Sequence, residues 1–326
     1  MKKVYISINI MLLAIAIVIA LSVGATKIDN FFAQLLQPGN DEILWQIRFP
    51  RVIAAVIVGA AFGVAGLMAQ GASNNALAEP SILGTASGAA LGAVIAILFG
   101  FAQVGSFAAT ISGVFGALLA TTLTLKLASL RGNLSSFALI IVGIAVSATL
   151  SAVVGLASAM ITQADARSIS FWNFGSLALI TYENLAGVTV TTAIGLLIAW
   201  RVAPYLDRLS FGDETAFHLG VNVPKARWMA LVALSLLAGG AVSTVGIIGF
   251  IGLAAPHIAR FIYGPTHRLL VIESALIGSL ILVVADTLAR SIAAPNELSI
   301  GLITSILGAP ILIALVSFKN NVWRIQ

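Results

Sequence analysis

SFGDETAFHLGVNVPKAR, residues 210 to 227, gathers Asp213, Glu214, His218, Lys225 and Arg227 with one proline and two glycines between long apolar segments. Polar groups left without partners in hydrocarbon are costly, so an insert of this kind lies outside a bilayer. Ser210 or Asp213 suits the N-cap of a short helix running through His218, with Gly220 as its stop. Pro224 suits the first turn of a second helix. The spacing therefore predicts two short helices joined by a glycine hinge, which make a docking surface. An ordinary solvated loop would carry the same residue types, and the rest of the chain decides between the two.

The surroundings are those of an integral membrane protein. Of 326 residues, 60% are hydrophobic and only 9% charged, with a mean hydropathy of +1.07. Soluble domains carry about 25% charged residues. The net charge of +5 is too dispersed for a nucleic-acid partner, and the lipid bilayer is the partner the composition demands. With no cysteine, thiolate catalysis and cysteine-ligated metals are excluded.

Read in order, the chain opens with Met1-Lys2-Lys3 and an apolar run to Val23, long enough for an uncleaved first span rather than a signal peptide. Further spans fit 52–71, 85–102, 106–126, 136–160 and 184–202. The second is rich in small residues, which let membrane helices approach closely. After the polar insert come 228–246, 247–262, 269–289 and 298–318. The expectation is an all-α polytopic fold of about ten spans in one transmembrane domain over 1–326. The stretch Thr162 to Leu177 is too polar for a span and too aromatic for a plain linker, so it is expected at the membrane interface.

Inward placement of the N-terminus puts 12 Lys and Arg in the cytoplasm and 5 outside, in the direction of the positive-inside rule. Both termini and the insert at 210–227 are then cytoplasmic. Arg227 and Arg260 must then share a side. The 33 residues between them (260 − 227) give about 50 Å of helix, where two full crossings need about 60 Å. One helix there is expected to be short or broken, at Gly246 to Gly252.

No enzyme constellation is present. His218, His257 and His267 lack HExxH spacing, no GxSxG occurs, and no GxxxxGK[ST] is found. No metal site and no cofactor are expected, and ATP-driven work requires a separate polypeptide.

RFPRVIAAVIVGAAFGVAGLMAQ from Arg48, NNALAEPSILGTASGAALGA from Asn74, FWNFGSL, GDETAFHLG, GFIGLAAPHIAR, THRLL, Ala285-Asp286 and ELSIGLITSILGAPILIALV occur in that order. Together they resemble the permease subunits of binding-protein-dependent ABC importers for iron chelates, haem and cobalamin. One departure is Asn75-Ala76, where family members usually read Asn-Pro. The resemblance implies ten spans per subunit in a bacterial cytoplasmic (inner) membrane, usually two identical permeases around one path. It further implies two ATP-binding cassette subunits beneath, and a periplasmic or surface-tethered binding protein that feeds the path.

Carried over position by position, the resemblance makes GDETAFHLG the segment that couples to the ATPase, with Asp213, Glu214, Ala216 and Gly220 as its marks. Arg48, Arg51 and Arg290 match arginines that dock acidic residues of the binding protein. Lipid-headgroup anchoring is the other reading of Arg48 and Arg51. Trp172 and Phe174 either line the outer mouth or belong to an aromatic belt. A proton-coupled transporter with Asp286 and Glu273 as relay groups is the alternative class. It is weakened because most charges lie toward span ends, and an Asp286–Arg290 ion pair one turn apart is the simpler reading. A structural membrane scaffold would leave the insert and the outer arginines unexplained. Among substrates the resemblance points first to an iron chelate, siderophore or haem, then to cobalamin.

Overall fold

The structure, a computed structural model, describes residues 2–24, 26–130, 136–160, 174–294 and 296–317. Among these the fold is all helical. In order they are α1 (Lys2–Ser22), α2 (Phe31–Leu35), a π-helical turn (Ile43–Arg48) running into α3 (Phe49–Ser73), α4 (Thr85–Leu98), α5 (Phe107–Ser129) and α6 (Ser136–Ala159). Then come α7 (Tyr182–Leu209), α8 (Asp213–His218), α9 (Val223–Val245), α10 (Ile251–Tyr263), α11 (His267–Ser291) and α12 (Ile300–Ser317). Among the described residues seven segments are long and apolar enough to cross a membrane: α1, the π-turn with α3, α5, α6, α7, α9 and α11. Over Ile300–Pro310, α12 counts with α4 as a shorter apolar helix.

α3 and α9 form the centre, each with 78% of its apolar window buried, whereas α1 at 11% and α6 at 22% are peripheral. What lets α3 sit centrally is its lack of side chain on one face. A Cβ placed at Gly59 would lie 2.5 Å from the Gly278 carbonyl oxygen, at Gly63 2.1 Å from that of Ser274, and at Gly66 1.7 Å from that of Gly252. α4 and α5 meet in the same manner through Gly88, Gly92 and Gly116. Hydrocarbon gives no hydrophobic drive between helices, so this close van der Waals approach supplies the cohesion. Pro256 inside α10 removes the amide that would bond the Gly252 carbonyl, and that carbonyl is the one resting on Gly66. Gly66→Leu is therefore expected to cost at or above the ~3 kcal/mol upper end of overpacking. Size-exclusion chromatography in detergent should show loss of the monodisperse peak.

The break expected at Gly246 to Gly252 is present: five residues separate α9 from a 13-residue α10. At 1.5 Å per residue α10 spans only about 20 Å. α7 departs from expectation by running on to Leu209 rather than ending near 202. Leu206 and Leu209 are buried, and the helix carries Asp207 and Arg208 past the apolar stretch.

Candidate functional site

The six residues of α8 are defined by their ends. Gly212 precedes them at φ +95, and they close in a Schellman turn. There the Gly220 amide, at φ +79, donates to the Phe217 carbonyl (2.9 Å) and the Val221 amide to that of Ala216 (3.0 Å). Neither Ser210 nor Asp213 caps the helix. Ser210 Oγ donates to the Asp207 carbonyl (2.7 Å), and Asp213 accepts two bonds from the Arg227 guanidinium at 2.7 and 2.8 Å. Arg227 Nε also donates to the Ala72 carbonyl in the last turn of α3 (3.0 Å). One guanidinium thus straps α8 to α9 and α3. The second short helix expected after Pro224 is not separate: Pro224 lies in the first turn of α9, which continues unbroken to Val245. Asn222 caps it by accepting from the Lys225 amide (3.1 Å).

Ala216 is fully buried beneath α8, while Asp213, Glu214 and Gly220 face outward. Beside them Phe211 and Phe217 are each 70% exposed and Leu219 is 51% exposed, an apolar edge on a polar end of the molecule. A groove of about 1030 Å³ runs alongside, walled by Leu125 and Lys126 of α5, Glu214 and Phe217 of α8, and Trp228 of α9. The neighbouring helix ends are fixed too. Asp207 Oδ1 accepts from both the amide and Nδ1 of His267 at 2.8 Å, tying α7 to the start of α11. The Arg268 guanidinium lies 5.8 Å from the Trp200 ring centre. The pairings of Arg227 with Asp213 and of Asp207 with His267 escaped the sequence reading because the partners stand 14 and 60 residues apart.

The arginine cluster occupies the opposite end, and its placement differs from the expectation of free, outward guanidiniums. Arg48, Arg51 and Arg290 are only 4%, 5% and 6% exposed. Arg48 donates to the Leu21 and Ser22 carbonyls, both at 2.8 Å, and to that of Thr26; Arg290 donates to the Ala20 carbonyl. These are the last carbonyls of α1 and the chain just beyond it, which have no intrahelical partner, and a planar five-donor cation satisfies several at once. Arg51 takes Asp286 through Nε (2.9 Å) and Nη2 (2.8 Å), and reaches Glu297 through Nη1 (2.8 Å). Asp286, 1% exposed, also faces Arg290 one turn on at 3.5 Å, an ion pair too long for a hydrogen bond. Burial of a carboxylate at this depth requires paired cations, and both are supplied.

Glu273, the other carboxylate of the relay reading, is fully buried and accepts from Asn9 Nδ2 (2.7 Å), which also contacts Tyr263 Oη (2.7 Å). Thirteen residues (286 − 273) of one helix separate it from Asp286, about 20 Å. Asp286 is engaged by arginines, so the pair makes no relay by contact.

Trp172 lies outside the described residues. Phe174 is 61% exposed, while its carbonyl accepts from the Gly301 amide (3.3 Å) and from Ser299 Oγ. The Ser176 amide donates to the Val245 carbonyl (2.9 Å), and the Ile300 amide to that of Gly175 (3.1 Å). Three distant segments are thus knotted through their main chains where α9 ends and α12 begins.

The sequence profile of the FecCD transport family matches residues 12–318. The chain belongs to the FecCD family. This FecCD permease is 37% identical over 320 residues to the hemin transport system permease protein HmuU of Yersinia pestis, covering 94% of this chain and 93% of the relative. It is 36% identical to the iron(3+)-hydroxamate import system permease protein FhuG of Bacillus subtilis, covering 96% of each. It is 37% identical over 276 residues to the vitamin B12 import system permease protein BtuC of Vibrio cholerae, covering 84% and 82%. Among solved structures, a metal-chelate type ABC transporter in an inward-facing conformation superposes with a TM-score of 0.83 at 29% identity, over 97% and 99% of the two chains. As a FecCD permease it is a transport subunit of an ABC importer, not a catalyst. Importers of this architecture work with an ATPase and a substrate-binding protein.

Proposed function

We propose that this permease carries an iron chelate, siderophore or haem, into the cytoplasm as one of two identical subunits resting on an ATPase dimer and served by a binding protein. The observation that carries the reading is α8: a rigidly capped helix with an apolar edge, strapped by Arg227 to two central helices, in a chain without a nucleotide-binding motif. A force applied there reaches α3 and α9 directly. Asp213, Glu214, Ala216 and Gly220 then form the seat of the ATPase, with Asp213 bracing and Ala216 packing the helix from below. α8 and both chain termini lie on the cytoplasmic side, and the short α4, α10 and α12 complete ten spans in a bacterial inner membrane.

Docking of the binding protein belongs to the opposite end. Arg51 and Arg290 serve it by holding α1 and Glu297 in place, and Arg48 by fixing the end of α1, rather than as free guanidiniums. Trp172 and Phe174 are assigned to the mouth of the path on the family resemblance, and the main-chain knot that holds Phe174 supports its part of that reading.

The reading is tested by reconstituting the permease with its ATPase and binding protein in proteoliposomes and offering haemin, a ferric hydroxamate or cobalamin in turn. ATP-dependent uptake of either iron compound is expected. Uptake of cobalamin alone would move the substrate assignment, and uptake by the lone permease driven by a pH gradient would overturn the mechanism.

A further inference from the structure

Ala78-Glu79-Pro80 follows α3, and Gly249-Phe250-Ile251-Gly252 lies at the break before α10. The structure joins them. Glu79 is 8% exposed, and its Oε1 accepts from the Phe250 amide at 2.7 Å across 171 residues. Phe250 stands at φ +68, a left-handed conformation that costs a non-glycine residue roughly 1–2 kcal/mol and persists only where its surroundings enforce it. No side chain of its own caps α10. Glu79 supplies what the N3 carboxylate supplies in a capping box, from another part of the chain, at the end of the helix dipole that favours a negative group.

Both sides of this contact lead to peripheral helices. Phe250 Cβ lies where a Cβ on Gly308 of α12 would come within 2.4 Å, so that glycine seats the phenylalanine. On the other side the segment after Glu79 is fastened to α6. Ser147 Oγ donates to the Ser81 carbonyl (2.7 Å), and a Cβ on Gly143 would lie 2.2 Å from the Ile82 carbonyl oxygen. Pro80 Cδ meanwhile sits 3.1 Å from a Cβ built on Gly252. A continuous line of contacts therefore runs from α6 through Ser81, Glu79 and Phe250 to α12. α6 is the least buried of the long helices after α1.

We propose that Glu79 is a positioning residue of the transport cycle: by holding Phe250 against Gly308 it makes α6 and α12 move as one unit when the ATPase works. The proposal rests on the permease reading, and its consequence is coupling rather than capacity. Without the carboxylate the Phe250 amide loses its partner, the left-handed turn relaxes, and α12 no longer follows α6.

The decisive measurement is ATP hydrolysed per substrate imported in proteoliposomes holding the complete transporter, with haemin or a ferric hydroxamate, whichever the wild type takes up. Glu79→Ala is expected to raise that ratio about tenfold, equivalent to about 1.4 kcal/mol of lost coupling, with basal hydrolysis near wild type. Glu79→Gln keeps an oxygen to accept the amide and should stay within about threefold. Gly308→Ala, which pushes Phe250 from the other side, should mimic Glu79→Ala, and the double variant should be no worse than either alone, the signature of one shared contact. If Glu79→Ala does not fold, the Gln and Gly308 variants still decide. An unchanged ratio in Gly308→Ala and Glu79→Ala overturns the proposal, as does a defect that Gln fails to rescue or that adds in the double variant. Absence of ATP-driven uptake in the wild type would instead count against the permease reading.

Discussion

Asp286→Ala is expected to unfold the permease at a temperature far below wild type, with a loss of about 3–5 kcal/mol, the range for removing one partner of a buried ion pair. Asp286 is 1% exposed and stands between Arg51 at 2.8 Å and Arg290 at 3.5 Å. Removing it leaves two guanidiniums buried against each other with Glu297, itself 34% exposed, as the remaining carboxylate of the cluster. The damage should spread to α1, because Arg290 also holds the Ala20 carbonyl. Tryptophan-fluorescence melting in detergent would measure it. A proton-relay role for Asp286 would give a different outcome: Asp286→Asn would retain stability and lose only pH-driven transport. A docking role alone would leave the melting temperature unchanged.

Gly220→Trp should instead leave the subunit folded and cost it the ATPase. A Cβ at Gly220 meets nothing within 4 Å, so no clash arises inside the subunit, and φ +79 adds only the roughly 1–2 kcal/mol of a left-handed residue. The indole must then project into the space beside α8 and the groove that Gly220 helps to line. Co-purification of the ATPase is expected to fall at least about tenfold, the equivalent of ~1.4 kcal/mol. Gly39→Trp is the matched control, with φ +83 and equally open space, but in the chain between α1 and α3 at the opposite end. It should retain the ATPase at wild-type level. Equal losses in both would mean that strain, not position, is responsible.

Much of this architecture was legible in sequence because it depends on local composition. Apolar runs mark the candidate spans, the polar insert at 210–227 marks the short helix α8 between two of them, and the shortage of residues between Arg227 and Arg260 pointed to the break before α10. Motif order gave the family, which the profile match over 12–318 establishes. What sequence did not reveal are contacts whose acceptors carry no signature. Arg48 caps α1 through backbone carbonyls 26 and 27 residues away, and no residue type at Leu21 or Ser22 announces that. An arginine at a span end reads the same whether it faces solvent, lipid or the end of another helix. The same holds for Glu79, whose partner is the amide of Phe250, and for Asn9, whose partner Glu273 lies 264 residues away. Within the insert, composition allowed Ser210 or Asp213 as the cap. Gly212 took that place because Asp213 is engaged by Arg227.

The central claim, that α8 is where the ATPase seats, is open to one direct measurement because the chain contains no cysteine. Thr215, exposed on α8, can be changed to Cys, and Glu183, exposed at the start of α7 on the opposite end, serves as the reference position. In the assembled transporter, a short thiol-reactive photo-cross-linker on Thr215→Cys is predicted to link the permease to the ATPase, while the same reagent on Glu183→Cys links none. Absence of the link from Thr215→Cys in a complex that hydrolyses ATP on substrate delivery, or an ATPase link from Glu183→Cys, would contradict the account.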